Sequence, residues 1–221
     1  MHAVPMKANS SDLTEYFRPR RRTDINPSLM DIDPYITFSS NGQPFSSRFK
    51  SFYYTLPPLV AAKDIFFSDF FKTLIEGRTD FSVIGELGFG TGLNFALACK
   101  YWKKGNHPKA RLHYIAIEPY PLEAHQMDRF LSRFRELDIE RKELVSMYPK
   151  PHIGFHRVWS TDNKITLTFI VGPADEALAE LEAEVDLWFL NGFPLRVNPE
   201  IWCETVSLEL ARLSKSNAHL I

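Results

Sequence analysis

Apolar positions recur along this chain with two different periods, and the switches between them mark the elements. Residues 36–38 and 49–55 carry short aromatic and β-branched runs around Asn41 and Gly42, which predicts two short strands closed by Pro57-Pro58. In 61–75, Phe66, Phe67, Phe70, Phe71, Leu74 and Ile75 form a broad stripe at helical spacing, the pattern of a helix covering one side of a sheet. A strand–helix rhythm follows, with strands over 81–85 and 112–117 and helices over 93–102 and 122–137. After a break at Tyr148-Pro149-Lys150-Pro151, segments 154–159 and 164–171 predict two strands, at least partly antiparallel, joined through Thr161-Asp162-Asn163. A helix over 174–181, a short apolar strand over 185–190 and a helix over 200–213 complete the pattern, and Asn217 begins a further strand. The expectation is an α/β domain over 36–221 on a mostly parallel sheet, with its C-terminal part incomplete and an edge open to pairing with a second copy.

Residues 1–35 are polar and interrupted by Pro5, Pro19, Pro27 and Pro34, so they predict a flexible or extended arm. Its basic cluster, Arg18, Arg20, Arg21 and Arg22, suits either a phosphate backbone or plain solvation, as do Lys103, Lys104, Lys109 and Arg111 further on. A hydrophobic fraction of 44% over 221 residues is enough for a substantial core and excludes global disorder. The net charge of −1 gives no whole-molecule attraction to a polyanion and leaves local patches open. Cys99 and Cys203 have neither paired spacing nor neighbouring histidines, which argues against a structural zinc site and a disulfide scaffold. No run approaches the roughly 18 apolar residues of a membrane span, so a soluble cytoplasmic protein with no membrane partner and no metal is expected.

The strongest local signal is FSVIGELGFGTGLNF over 81–95. Gly88, Gly90 and Gly92, between a strand and a helix, let backbone amides approach a ligand where side chains would collide. The GxGxG spacing with Glu86 before it fits an S-adenosylmethionine loop better than a pyrophosphate cradle, and no Gly-Lys-Ser or Gly-Lys-Thr continuation marks a Walker loop. Glu86 either orients the cofactor or bonds to loop amides. Glu118, directly after the strand HYIAI, stands where an acid accepts both ribose hydroxyls, the other reading being a surface acid before the turn residue Pro119. In VDLWFLNGFPLRVNPEIW the strand ends at Asn191, Gly192 permits a tight approach and Phe193 supplies an apolar wall. Asn191 is there either a site residue at the carboxyl end of a strand or a turn-closing amide, and Trp202 either packs its helix or lines the mouth.

These segments, GELGFGTGLNF, HYIAIEPYPL and DLWFLNGFPLRVNPEIW, with GFHRVWS and ITLTF, resemble the methyltransferase domain family of the bifunctional enzyme that completes 5-methylaminomethyl-2-thiouridine in tRNA. The likeness runs over about 42–212. It implies a Rossmann-like S-adenosylmethionine-dependent fold, methyl transfer to an aminomethyl nitrogen of the wobble uridine, and tRNA as partner. It further implies cofactor roles for Glu86, Gly88, Phe89, Gly90, Thr91, Gly92, Asn94 and Glu118. Nothing resembling the family's flavin-dependent domain is present, so the chain reads as a stand-alone, divergent and shortened member. Four positions depart from the family. Asn191 replaces the aspartate of Leu-Asp-Gly-Phe, and an amide orients an amine without taking its proton. Gly172-Pro173 replaces a Gly-Asp whose acid meets the adenine amine, with Asp175 close enough to substitute. Leu59, Val60, Ala61 and Ala62 stand in place of Gly-Leu-Glu-Glu, and Val197 in place of a lysine, leaving Arg196 as a displaced basic residue.

Three function classes follow. In the first, the chain is an active methyltransferase with Asn191 orienting the amine, Phe193 shaping the pocket, and water or Asp175 receiving the proton. The second is a methyltransferase fold without activity, kept for binding or structure. The third is a nicotinamide-dependent oxidoreductase, which Glu118 permits and the GxGxG spacing disfavours.

Overall fold

In the computed structural model, residues 31–54, 59, 74, 81–105, 109–190 and 192–221 are described. The predicted helix over 61–75, of which only Leu74 is described, lies outside them, as do the basic cluster at 18–22, most of the predicted arm and Asn191.

Three short strands come first: β1 (Ile36–Phe38), β2 (Pro44–Ser46) and β3 (Ser51–Phe52), paired antiparallel in that order. The strand expected over 49–55 is thus divided. Residues 47–50 turn instead of extending, with Lys50 at φ +49°, and what pairs with β1 is the stretch that begins at Pro44.

The main sheet contains β4 (Phe81–Leu87), β5 (Arg111–Ile117), β6 (Gly154–Trp159), β7 (Ile165–Val171), β8 (Val185–Phe189) and β9 (Ser214–Leu220), in spatial order β6-β7-β5-β4-β8-β9. Every pairing is parallel except β6 with β7, which is antiparallel as the sequence predicted. The central strands are nearly continuous apolar runs because both faces are covered. On one face lie α1 (Leu93–Lys104), α2 (Ala124–Leu131) and α3 (Asp138–Met147), whose Phe95, Leu97, Phe130 and Leu144 join Ile84, Tyr114 and Phe169 in one cluster. On the other lie α4 (Ala174–Ala179) and α5 (Glu204–Leu213), where Leu178, Val206 and Leu210 pack with Ile115, Ile170 and Trp188. This is a three-layer, Rossmann-like α/β fold.

Two helices differ from expectation. The segment read as one helix over 122–137 ends at Leu131, passes through a 3-10 turn at Arg135–Leu137, and continues as α3. The sequence of α3, DIERKELVSM, buries only Glu140 and Leu144, so it presents no apolar stripe to read. The helix expected from 200 opens as a 3-10 turn over Pro199–Trp202 and becomes α-helical only at Glu204.

Candidate functional site

The glycine loop joins the carboxyl end of β4 to the start of α1. Gly88 and Gly90 have φ of +86° and +53°, in the left-handed region that side chains other than glycine's occupy at a cost. A Cβ at Gly88 would lie 3.1 Å from Cα of Gly192, and one at Gly90 would lie 3.3 Å from the Tyr53 ring. The loop is held to the next strand because the Gly88 amide donates to the Ile117 carbonyl at 2.9 Å. One residue beyond β5, the Glu118 carboxylate accepts from the Gly90 amide (3.0 Å) and from the Tyr120 amide (2.9 Å). Burial pushes the Glu118 carboxyl up to about 7, and those two amides pull in the opposite direction.

Above this loop is a cavity of about 340 Å³, within the usual size range of small-molecule sites. Gly88 and Gly90 line its base, and Glu118 lines its wall together with the aromatic residues Phe49, Tyr53 and Phe193. A smaller space of about 30 Å³ adjoins it, sharing Pro119, Asn198 and Ile201 and lined also by Pro173 and Asp175. Asp175 therefore faces the region between the ends of β5 and β7 and is absent from the lining of the main cavity.

The remaining described cofactor candidates make their contacts inside the fold. Glu86 is 1% exposed, and its two oxygens accept from Asn94 Nδ2 and from the Tyr114 hydroxyl, each at 2.8 Å. Desolvation pushes its carboxyl up to about 8 against those two hydrogen bonds. Thr91 Oγ1 shares a 2.6 Å hydrogen bond with the Tyr54 hydroxyl. Phe89 is a core residue, with its ring against Tyr148 and Phe169, and Gly92 is closed in by Leu144. The side chains of Glu86, Phe89, Thr91 and Asn94 thus make their contacts within the fold and are absent from the lining of the cavity.

Sequence reasoning missed the contribution of the small N-terminal sheet. Phe49 and Tyr53 reach the cavity from it, and the Arg48 guanidinium lies 4.1 Å from the centroid of the Tyr120 ring while Arg48 Nη2 pairs with Asp31 at 2.7 Å. The only signal was the aromatic density of FKSFYY, which reads equally well as a packed strand.

The base of the cavity suits the cofactor that the sequence suggested. Backbone at Gly88 and Gly90 leaves room where side chains would intrude, and a desolvated carboxylate at the wall accepts hydrogen bonds from a diol. Among the described residues no group of histidine, cysteine and acidic side chains is arranged to hold a metal, and no helix is long and apolar enough to cross a membrane.

Comparison with known proteins agrees. Residues 135–221 match the family described as S-adenosyl-L-methionine-dependent methyltransferase. The tRNA 5-methylaminomethyl-2-thiouridine biosynthesis bifunctional protein MnmC of Pseudomonas putida is 40% identical over 133 residues, which is 60% of this chain and 20% of that protein. Its counterpart in Magnetococcus marinus is 35% identical over 188 residues, 84% of this chain and 28% of that protein. The chain thus spans less than a third of the length of these relatives. The crystal structure of MNMC2 from Aquifex aeolicus superposes with a TM-score of 0.63 at 20% identity, covering 89% of this chain and 61% of that one, and so shares the fold. The family match favours S-adenosylmethionine over the nicotinamide reading. This chain carries a Rossmann-like methyltransferase domain whose cofactor is S-adenosylmethionine and which is homologous to the tRNA 5-methylaminomethyl-2-thiouridine biosynthesis bifunctional protein family.

Proposed function

We propose that the chain transfers a methyl group from S-adenosylmethionine to the aminomethyl nitrogen of a modified wobble uridine in tRNA. The observation that carries this reading is the Glu118 carboxylate, held by the Gly90 and Tyr120 amides at the wall of a cavity whose base is the glycine loop. The choice of acceptor is supported by the names of the relatives and by the aromatic walls, which suit a planar base.

When bound, S-adenosylmethionine supplies an electrophilic methyl on a sulfonium, and attack by the amine lone pair sends the carbon–sulfur electron pair to sulfur. The residues of this chain position and desolvate. Glu118 accepts the ribose hydroxyls, and Gly88 and Gly90 let the backbone come close to the methionine portion. Phe193 walls the acceptor and Asn191 orients its neutral amine. Asp175, in the adjoining space between the ends of β5 and β7, is better suited to the adenine amine than to the proton, which passes from the product ammonium to water. A second reading, the fold without transfer, draws on Pro173, which precedes α4 where the family carries an acid.

Isothermal titration with S-adenosylmethionine, followed by transfer of labelled methyl to tRNA carrying 5-aminomethyl-2-thiouridine, tests the proposal. The wild type should bind and transfer. Glu118→Gln should weaken cofactor binding by roughly tenfold to a hundredfold, the loss expected when a charged acceptor is removed. Binding without transfer would favour the second reading. A folded wild type that does not bind, or a Glu118→Gln variant that binds equally well, would overturn the site.

A further inference from the structure

The two hydrophobic clusters account for most of the large apolar side chains of the described residues, but Phe49 and Phe193 belong to neither. Both are half-buried and both line the cavity over the glycine loop. Their ring centroids are 4.5 Å apart at an interplanar angle of 31°, and Phe49 also meets the Tyr120 ring edge-on at 5.7 Å. Tyr120 is fixed in turn by the Arg48 guanidinium over its face. Phe49 is presented from a turn in which Lys50 has a left-handed backbone and Ser46 Oγ accepts from the Phe49 amide. A bulky residue held in that region costs stability, and such residues persist where the surroundings impose them and cluster at ligand sites. An aromatic ring held this way against a cavity, outside the core, is placed to stack on a ligand.

We infer that Phe49 is the stacking residue for the planar ring of the acceptor, a uracil-type base carrying the amine; this rests on the proposed methyl transfer to such a base. No ring enters between Phe49 and Phe193 as they stand, because a ring held between two others needs about 7 Å. The incoming base displaces the Phe193 ring and takes its place on the face of Phe49. Rotation of the Phe193 side chain about its own bonds suffices, so the hydrogen bond from Trp202 Nε1 to the Phe193 carbonyl, 2.9 Å, is kept. The exposed Arg196 lines the same cavity and provides positive charge beside the base for a polyanionic acceptor. Stacking of this kind tolerates any aromatic ring at position 49 and fails with an aliphatic one of similar bulk.

The test compares wild type, Phe49→Leu and Phe49→Tyr in three measurements. These are the Kd for S-adenosylmethionine by titration calorimetry, the Kd for an anticodon stem-loop bearing 5-aminomethyl-2-thiouridine in the presence of S-adenosylhomocysteine, and the kinetics of methyl transfer to that RNA. Phe49→Leu should raise both the RNA Kd and the KM on the order of tenfold. Its cofactor Kd should stay within about twofold, and Phe49→Tyr should restore RNA binding. Equal loss of cofactor and RNA affinity would assign Phe49 to the cofactor and overturn the inference, as would RNA binding that is indifferent to Phe49→Leu. If the wild type binds the RNA in a Phe49-dependent way but transfers no methyl, the proposed function falls and the stacking role stands. If it transfers methyl and Phe49→Leu does so with unchanged KM, the function stands and the stacking role falls. A wild type that neither binds nor methylates this RNA would overturn both.

Discussion

Glu86 and Glu118 stand near the carboxyl ends of adjacent parallel strands, yet their surroundings differ. Glu118 lies one residue past the end of β5 with its carboxylate at the cavity, whereas Glu86 is within β4, opposite Ala116, and is sealed beneath the loop by Asn94 and Tyr114. Burial pushes the Glu86 carboxyl up to about 8 from an ordinary 4.5, so over that interval the folded chain holds a proton that the unfolded chain has lost. Stability from this group is therefore fully present below about pH 4.5 and is lost as the pH rises through about 8. Glu86→Gln keeps a neutral group with an acceptor for Asn94 and a donor for Tyr114, and should remove that dependence. Thermal unfolding of wild type and variant should nearly coincide in mild acid, and the variant should melt progressively higher than wild type towards about pH 9. Parallel Tm–pH curves would show that Glu86 is ionised in the folded chain.

At the scale of elements, the strands that carry the loop are set by close packing across the sheet. Gly85 of β4 is paired directly with Trp188 of β8, and the Trp188 ring lies over its backbone so closely that a Cβ at Gly85 would be 2.2 Å from two ring carbons. The Trp188 indole is itself tied down by its bond to Ser214 Oγ at 3.0 Å, which joins β8 to the start of β9. The ring cannot retreat without breaking that link, so Gly85→Ala should cost about 1–3 kcal/mol by overpacking. Urea denaturation monitored by circular dichroism measures this, and an unchanged midpoint would mean that the ring relaxes freely. The sequence presented Gly85 as an ordinary position of an apolar strand, since its need for glycine arises on another strand about a hundred residues away. The same limit hid α3, whose one fully buried apolar residue, Leu144, closes in Gly92 from outside the loop.

For the molecule as a whole, the fold sets a group of basic residues apart from the glycine loop. Lys103 and Lys104 end α1, and Lys109 and Arg111 precede or begin β5, so all four lie at the end of the sheet opposite the glycine loop. Lys103 is also engaged with Glu143 at 2.5 Å. They stand away from the cavity, whose lining includes the exposed Arg196. Among the described residues β9 is paired only with β8, leaving one side open, and its sequence SKSNAHL is polar. Such a strand favours weak edge pairing at most, because hydrogen bonds gained there are exchanged for bonds to water and little apolar area is buried. Light scattering over a wide range of concentration should therefore find the monomer when dilute and self-association only when concentrated. A concentration-independent dimer would show that a larger surface than this edge is involved.

The fold class, the glycine loop, the acid after β5 and the cofactor type were legible in the chain before it folded. Each of these depends on near neighbours in the chain: periodic burial, the φ that glycine permits, and the strand–turn–helix order. Only the folded arrangement shows that Glu118 lines the cavity while Glu86 is sealed beneath it, and that Phe49 and Tyr53 of a small outlying sheet wall the cavity. It also shows that Lys103, Lys104 and Arg111 lie at the end of the sheet opposite the site. The physical reason is that a residue's local pattern sets which element it joins, whereas desolvation, ring contacts and access to a cavity are set by groups brought together from distant parts of the chain.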